Sequence, residues 1–288
     1  MSKALDALLG ILDLEELEVN LFRGRSPQER SQRVFGGQVL GQALTAAGRT
    51  VERDAAHSLH AYFLRPGDPR IPILYQVDRT RDGRSFTTRR VTAIQRGRAI
   101  FHLEASFQQH ESGPEHQDEM PDAPDPETLP DFHARMQPLA QKAPAEVQRW
   151  AESERPIDLR YVTPFDPIEP EKLPPRQLVW VRADGVLPAS RLLHQCVVAY
   201  ASDLTLLDTA ALPHAISWIG NSWQIASLDH AMWFHRDFRA DEWLLYEQHS
   251  PVTAGARGFA TGRLFTRAGA LAVSVVQEGL FRRIDTGA

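Results

Sequence analysis

Ser227, Asp229 and His230 place a hydroxyl, a carboxylate and an imidazole close together, the side-chain types of a nucleophilic hydrolase. They belong to the run Ala226 to Arg236, which reads as a strand opened by Ser227. Neighbours in a strand point to opposite faces, so Asp229 and His230 cannot both aim at one serine. Surface or structural roles suit them better. The chain has no Gly-x-Ser-x-Gly elbow, no glycine-rich phosphate or dinucleotide loop and no His-Glu-x-x-His helix. His57, His60, His194, His214, His235 and His249 show no metal-ligand spacing, and neither a metal nor a cofactor is expected.

Two further polar residues stand where local structure calls for something else. Gln277 shares a strand face with Leu271, Val273, Val275 and Gly279, so an amide occupies an apolar position. Buried, it must find partners, either in a loop backbone or in a site. Asp203 closes the apolar helix that runs from His194 through Ser202, at the end where the helix dipole disfavours an anion. Its alternative reading is a cap for a short helix through Leu204 to Leu212. Ser227, at a strand start, also reads as an ordinary turn residue.

The elements that carry these residues occur twice. Phe63-Leu64-Arg65 with Leu74-Tyr75 recurs as Phe234-His235-Arg236 with Leu245-Tyr246, the two copies 171 positions apart. Upstream, Gly37 to Ala47 and His194 to Asp203 are apolar helices that align Gln38 with Gln195. Downstream, period-two strands such as Ile71, Ile73, Tyr75 and Val77 are punctuated by Asp82-Gly83 and Arg96-Gly97, which predict antiparallel hairpins. Each half thus reads as a buried helix followed by a curved antiparallel sheet, an α+β arrangement. In the first copy Ala46 stands opposite Asp203 and Ala105 opposite Gln277, so the fold itself does not require either polar residue. The expected units are 1–110, with a leading amphipathic helix over Met1 to Leu21; a linker over 111–175, holding thirteen of the twenty prolines and a helical piece near Phe132 to Trp150; and 176–288.

With 42% hydrophobic and 24% charged residues the chain can bury a sizeable core. A net charge of −5 and no basic run longer than two residues argue against nucleic acid. Cys196 is the only cysteine and reads as buried packing. That excludes an intramolecular disulfide and points to a reducing compartment, the cytoplasm. No apolar stretch approaches a membrane span, and neither the start nor Asp285 to Ala288 carries an address.

Val34 to Val39, His57 to Asp68, Tyr200 to Asp203, Leu228 to Arg236 and Val276 to Gly279 together resemble the bacterial acyl-coenzyme A thioesterase II family, along the full chain. The resemblance implies a double hotdog, two helices each wrapped by an antiparallel sheet, fused in one molecule. It implies hydrolysis of fatty acyl-coenzyme A, of medium to long chain, to fatty acid and coenzyme A. The family's catalytic Asp, Thr or Ser, and Gln fall on Asp203, Ser227 and Gln277, which would hold a water whose proton passes to Asp203. Family members often carry Thr where this chain has Ser227, a change expected to alter rate more than abolish function. Backbone N–H groups of Gly36 and Gly37, at the start of the first helix, are the expected oxyanion donors. Arg257 is a candidate for the coenzyme A phosphates, or else a solvated charge at a sheet end. A homo-oligomer, dimer or tetramer, is also implied.

Two rival readings keep the fold. A hotdog enoyl-coenzyme A hydratase would pair Asp with His, whereas here the partner is Gln277, which cannot shuttle a proton in the same way. A non-catalytic acyl-coenzyme A sensor would bind without releasing thiol.

Overall fold

The computed structural model describes residues 2–27, 33–52, 55–141, 143–163, 166–217, 219 and 222–284. The C-terminal residues read for an address lie outside them. The first helix, Lys3–Leu12 (α1), is capped by Ser2, whose side chain accepts from the Leu5 N–H, and buries Leu5, Leu8 and Leu12. It stops well short of the Leu21 expected from sequence. Asp13 ends it, and Glu15–Glu18 (β1) turns through Asn20, at φ 62°, to pair with Leu21–Gly24 (β2). The residues of β1 are all exposed, so the hairpin buries none of its carboxylates.

The first half continues with Gly36–Gly48 (α2), Ala55–Phe63 (β3), Ile73–Asp82 (β4), Phe86–Gln95 (β5) and Arg98–Gln108 (β6). The proline-rich segment then forms Phe132–Ala140 (α3), Ala145–Glu152 (α4) and a strand, Ile157–Tyr161 (β7). The second half contributes Arg176–Ala183 (β8), Arg191–Ser202 (α5), Asp208–Ala211 (α6), Trp223–Ser227 (β9), Asp229–Phe234 (β10), Leu244–Ala254 (β11), Arg257–Thr266 (β12) and Leu271–Arg283 (β13). Two strands thus precede each long helix, β1 and β2 before α2 and β7 and β8 before α5, and four or five follow it.

All strands pair antiparallel in one sheet of order β1-β2-β4-β5-β6-β3-β10-β13-β12-β11-β8-β7, with β9 also alongside β13. The two Phe-x-Arg strands, the clearest copies in the repeat, pair with each other: Ser58 opposes Trp233 and Tyr62 opposes Asp229. Their edges close one another, which removes the open strand edge each half would otherwise present. The result is a double hotdog of the α+β class.

Ser227 ends β9 rather than opening the longer strand. Leu228 breaks the run, because its N–H goes to the Glu278 carbonyl while Asp229 Oδ1 takes the Glu278 N–H. This kink lets one strand, β13, pair with β9 at Gly279 and with β10 at Val276. Asp229 and His230 do part to opposite faces, as alternation requires. His230 is fully buried and 2.9 Å from Ser202 Oγ, and burial pushes its imidazole down to about 3.

The helices α2 and α5 pack antiparallel in the centre, and small residues set how closely. A Cβ on Gly37 would lie 2.4 Å from the Tyr200 carbonyl oxygen, and one on Gly41 would lie 3.0 Å from that of Cys196. Thr45 Oγ1 donates to Cys196 Sγ at 3.3 Å, and burial pushes that thiol up to about 12, in keeping with a packing role. Several amides within the core donate to fixed partners. Gln38 Nε2 donates to Ser26 Oγ at 2.9 Å, and Gln195 Nε2 to the Ala56 carbonyl at 2.7 Å. The repeat-related tyrosines serve the two helices: Tyr75 donates to Gln42 Oε1 at 2.6 Å and Tyr246 to the Ser202 carbonyl at 3.1 Å.

Candidate active site

Asp203 follows the last turn of α5, and the bonds just described to Ser202 from Tyr246 and His230 fix the chain there. Ser227 arrives at the end of β9 and Gln277 on the inner face of β13, fully buried. The three side chains meet. Gln277 Nε2 donates to Asp203 Oδ1 at 2.5 Å and to Ser227 Oγ at 2.9 Å, and Ser227 Oγ donates to Asp203 Oδ1 at 3.2 Å. Gln277 Oε1 is also buried, and no described group donates to it.

The first half completes the centre. The Gly37 N–H, in the first turn of α2, donates to the Asp203 carboxylate. The anion that sits unfavourably at the end of its own helix thus lies at the positive start of another. Gly36 packs against the same group, where a Cβ would stand 2.6 Å from Asp203 Oδ2. Burial raises the Asp203 carboxyl from 3.8 to about 6, with Gln277, Ser227 and the Gly37 amide each opposing the rise. Where the repeat puts the counterparts, Ala46 and Ala105 are simply buried.

The centre opens onto a cavity of about 760 Å³. Its apolar walls come from three sources: Val39 and Phe101 of the first half, Leu207 and Ile225 of the second, and Phe132, Met136 and Trp150 of the connecting helices. Arg155 closes that last wall, its guanidinium 3.6 Å from the Phe132 ring centroid. Arg33 and Arg65 line the same cavity, whereas Arg257 pairs with Glu278 at 2.9 Å on the outside. Sequence reading named Arg65 only as part of the repeat and gave no part to Arg33 or to Asp208, a second carboxyl on the wall. These residues come from segments far apart in sequence.

Fold and centre together define a double-hotdog protein of the thioesterase class. A family profile described as acyl-CoA thioesterase matches residues 152–280, and one described as the acyl-CoA thioesterase N-terminal domain matches residues 25–108. Human acyl-coenzyme A thioesterase 8 is 46% identical, over 94% of this chain and 88% of its own. Acyl-CoA thioesterase 2 of Haemophilus influenzae is 39% identical, over 98% of this chain and 99% of its own. Among solved structures, an acyl-CoA thioesterase II, TesB2, from Mycobacterium marinum is 46% identical with a TM-score of 0.80, covering 97% of this chain and all of that one. The chain belongs to the acyl-CoA thioesterase family.

Proposed function

We propose that the chain hydrolyses acyl-coenzyme A thioesters by direct attack of water, and that the observation carrying this reading is the hydrogen-bonded meeting of Gln277 with Asp203 and Ser227, the last two of which line the cavity. Asp203 accepts the proton of the attacking water, while Ser227 and Gln277 hold the water's oxygen against the thioester carbonyl. The oxygen attacks the carbonyl carbon, the carbon–sulfur bond breaks, and the coenzyme A thiol leaves with a proton. No acyl-enzyme forms. Of the two glycines expected as oxyanion donors, Gly37 already gives its N–H to Asp203, so Gly36 is assigned that role, at the positive end of α2.

The cavity volume lies in the range that encloses most of a small ligand, which supports acyl chains of medium to long length. Arg33 and Arg65 are positioned on it to offer charge to phosphates. The rival hydratase reading lacks an imidazole partner, because His230 is buried on Ser202 and held neutral.

Thiol release from acyl-coenzyme A is the direct assay. With a base that titrates near 6, kcat/KM should climb about tenfold per pH unit below that value and level off above it. A profile that is flat between pH 5 and 8 would remove Asp203 from the role of base. Ser227 is a lesser contributor. Ser227→Thr should hold activity within a few-fold, whereas Ser227→Ala, which loses one hydrogen bond to the carboxylate, should lower kcat about tenfold. Equal rates in both variants would leave the hydroxyl without a part in catalysis.

A further inference from the structure

The imidazole that cannot join Ser227 in a triad stands one residue from the acid. His230, on the inner face of β10, has its Nε2 2.9 Å from Ser202 Oγ, and Ser202 is the residue before Asp203. A serine hydroxyl has one proton to give, and the Ala199 carbonyl, 2.9 Å from Ser202 Oγ, takes it ahead of Met232 Sδ at 3.6 Å. Toward His230, Ser202 therefore accepts, so the neutral imidazole carries its proton on Nε2 and leaves Nδ1 bare. That Nδ1 is buried, and no described group donates to it. Burying an unanswered nitrogen costs stability that a hydrocarbon in its place would spare.

The repeat shows that a hydrocarbon fits. Leu59, 171 positions earlier, is the counterpart of His230 and is fully buried. In the second half Ser202 is tied to the sheet twice, its hydroxyl by His230 and its carbonyl by Tyr246. Among the described residues Thr45, the counterpart of Ser202, receives neither tie: Leu59 has no polar side-chain atom, and Tyr75 donates to the Gln42 side chain instead. The double mooring thus occurs beside the acid and not beside Ala46. In the sheet, β10 and β11 lie on either side of β13, the strand that carries Gln277. The two ties therefore straddle Gln277 and set the gap across which its amide meets Asp203. We propose that His230 is a positioning residue for hydrolysis, holding Asp203 through the Ser202 hydroxyl at the distance from Gln277 and Ser227 that proton transfer from water requires. The inference rests on the hydrolase reading above for the reaction that the geometry serves.

The test sets His230→Leu beside His230→Gln, whose side-chain amide nitrogen takes the place of the imidazole Nε2 and still donates. In thiol release from decanoyl-coenzyme A, His230→Leu should lower kcat about 10- to 100-fold with KM unchanged, because the displaced group acts on the water and not on the bound chain. His230→Gln should keep kcat within about threefold of the wild type. The melting temperature of His230→Leu should hold or rise, since the substitution removes the unanswered nitrogen. A merely structural histidine predicts the reverse, a lower melting temperature and a kcat that follows only the folded fraction. A kcat within about twofold of the wild type in His230→Leu, or an equal loss in both variants, overturns the assignment. If His230→Leu does not fold, Ser202→Ala removes the hydroxyl that the imidazole grips, and the same outcomes decide. If the wild type itself releases no thiol, the hydrolase reading falls and the Asp203 carboxyl decides this one, followed by carbon NMR without substrate. Its titration midpoint should rise above about 6 in His230→Leu, as Gln277 and Ser227 lose their hold on it, and return in His230→Gln. A midpoint unmoved in His230→Leu would then overturn the positioning.

Discussion

Asp203→Asn should cut thiol release about 10²- to 10⁴-fold and at the same time make the protein more stable at neutral pH. The two effects have one origin. Folding moves the Asp203 carboxyl from 3.8 to about 6, so the folded chain binds a proton more tightly than the unfolded one. Stability from this group is full below about pH 4 and is lost as pH rises through 6. At pH 8 the wild type therefore carries a penalty of up to about 3 kcal/mol that an uncharged amide avoids. Thermal melts of both proteins from pH 4 to 8, beside thiol release at pH 8, check the pair of effects. A variant that is inactive but also less stable at pH 8 would mean that the charge is held by more than the three donors named. Full activity would end the proposal that Asp203 is the base.

Gly37→Ala should destabilise the fold by about 3 kcal/mol and remove most activity with it. The new Cβ would meet the Tyr200 carbonyl at 2.4 Å and the Phe35 ring at 2.6 Å. A backbone oxygen inside a helix cannot swing aside as a side-chain tip can, so α2 and α5 must part. Parting them also withdraws the Gly37 N–H from Asp203. The control is Gly10→Ala, in the interior of α1 with nothing within 4 Å of the new Cβ, which should be neutral or stabilising by about 0.5–1 kcal/mol. Chemical denaturation of the two variants separates a steric effect at the helix pair from a general cost of replacing glycine. Equal stability of the two would show that the helices have room to spare.

What could be read from sequence followed regular periods. The repeat of Phe63 and Tyr75 in Phe234 and Tyr246 announced two like halves, and the pairing of β3 with β10 gives those copies a common place. Gln277 stood out because period-two alternation makes an inward amide conspicuous, and it is indeed fully buried beside Asp203. Other features left no periodic trace. Ile157–Tyr161 is short and lies among prolines, so its pairing with β8 depends on a neighbour that composition does not reveal. The helix forecast to Leu21 overran because the apolar residues that suggested it continue to Leu14, while the chain leaves α1 at Leu12 and turns into a hairpin. Nothing in the sequence set Asp208 apart. Its position on the cavity wall arises from contacts between segments far apart in sequence.

The antiparallel pairing of α2 and α5 also sets a stoichiometry. The pair has two ends, related by pseudosymmetry, and only the end where Gly37 meets Asp203 is equipped with an acid and an amide. At the opposite end the corresponding positions are filled by the methyl groups of Ala46 and Ala105. One copy of the repeat supplies the acid and the amide, and the other supplies the start of a helix. A chain severed between the copies would part Gly37 from Asp203, so neither piece alone would hold the whole arrangement.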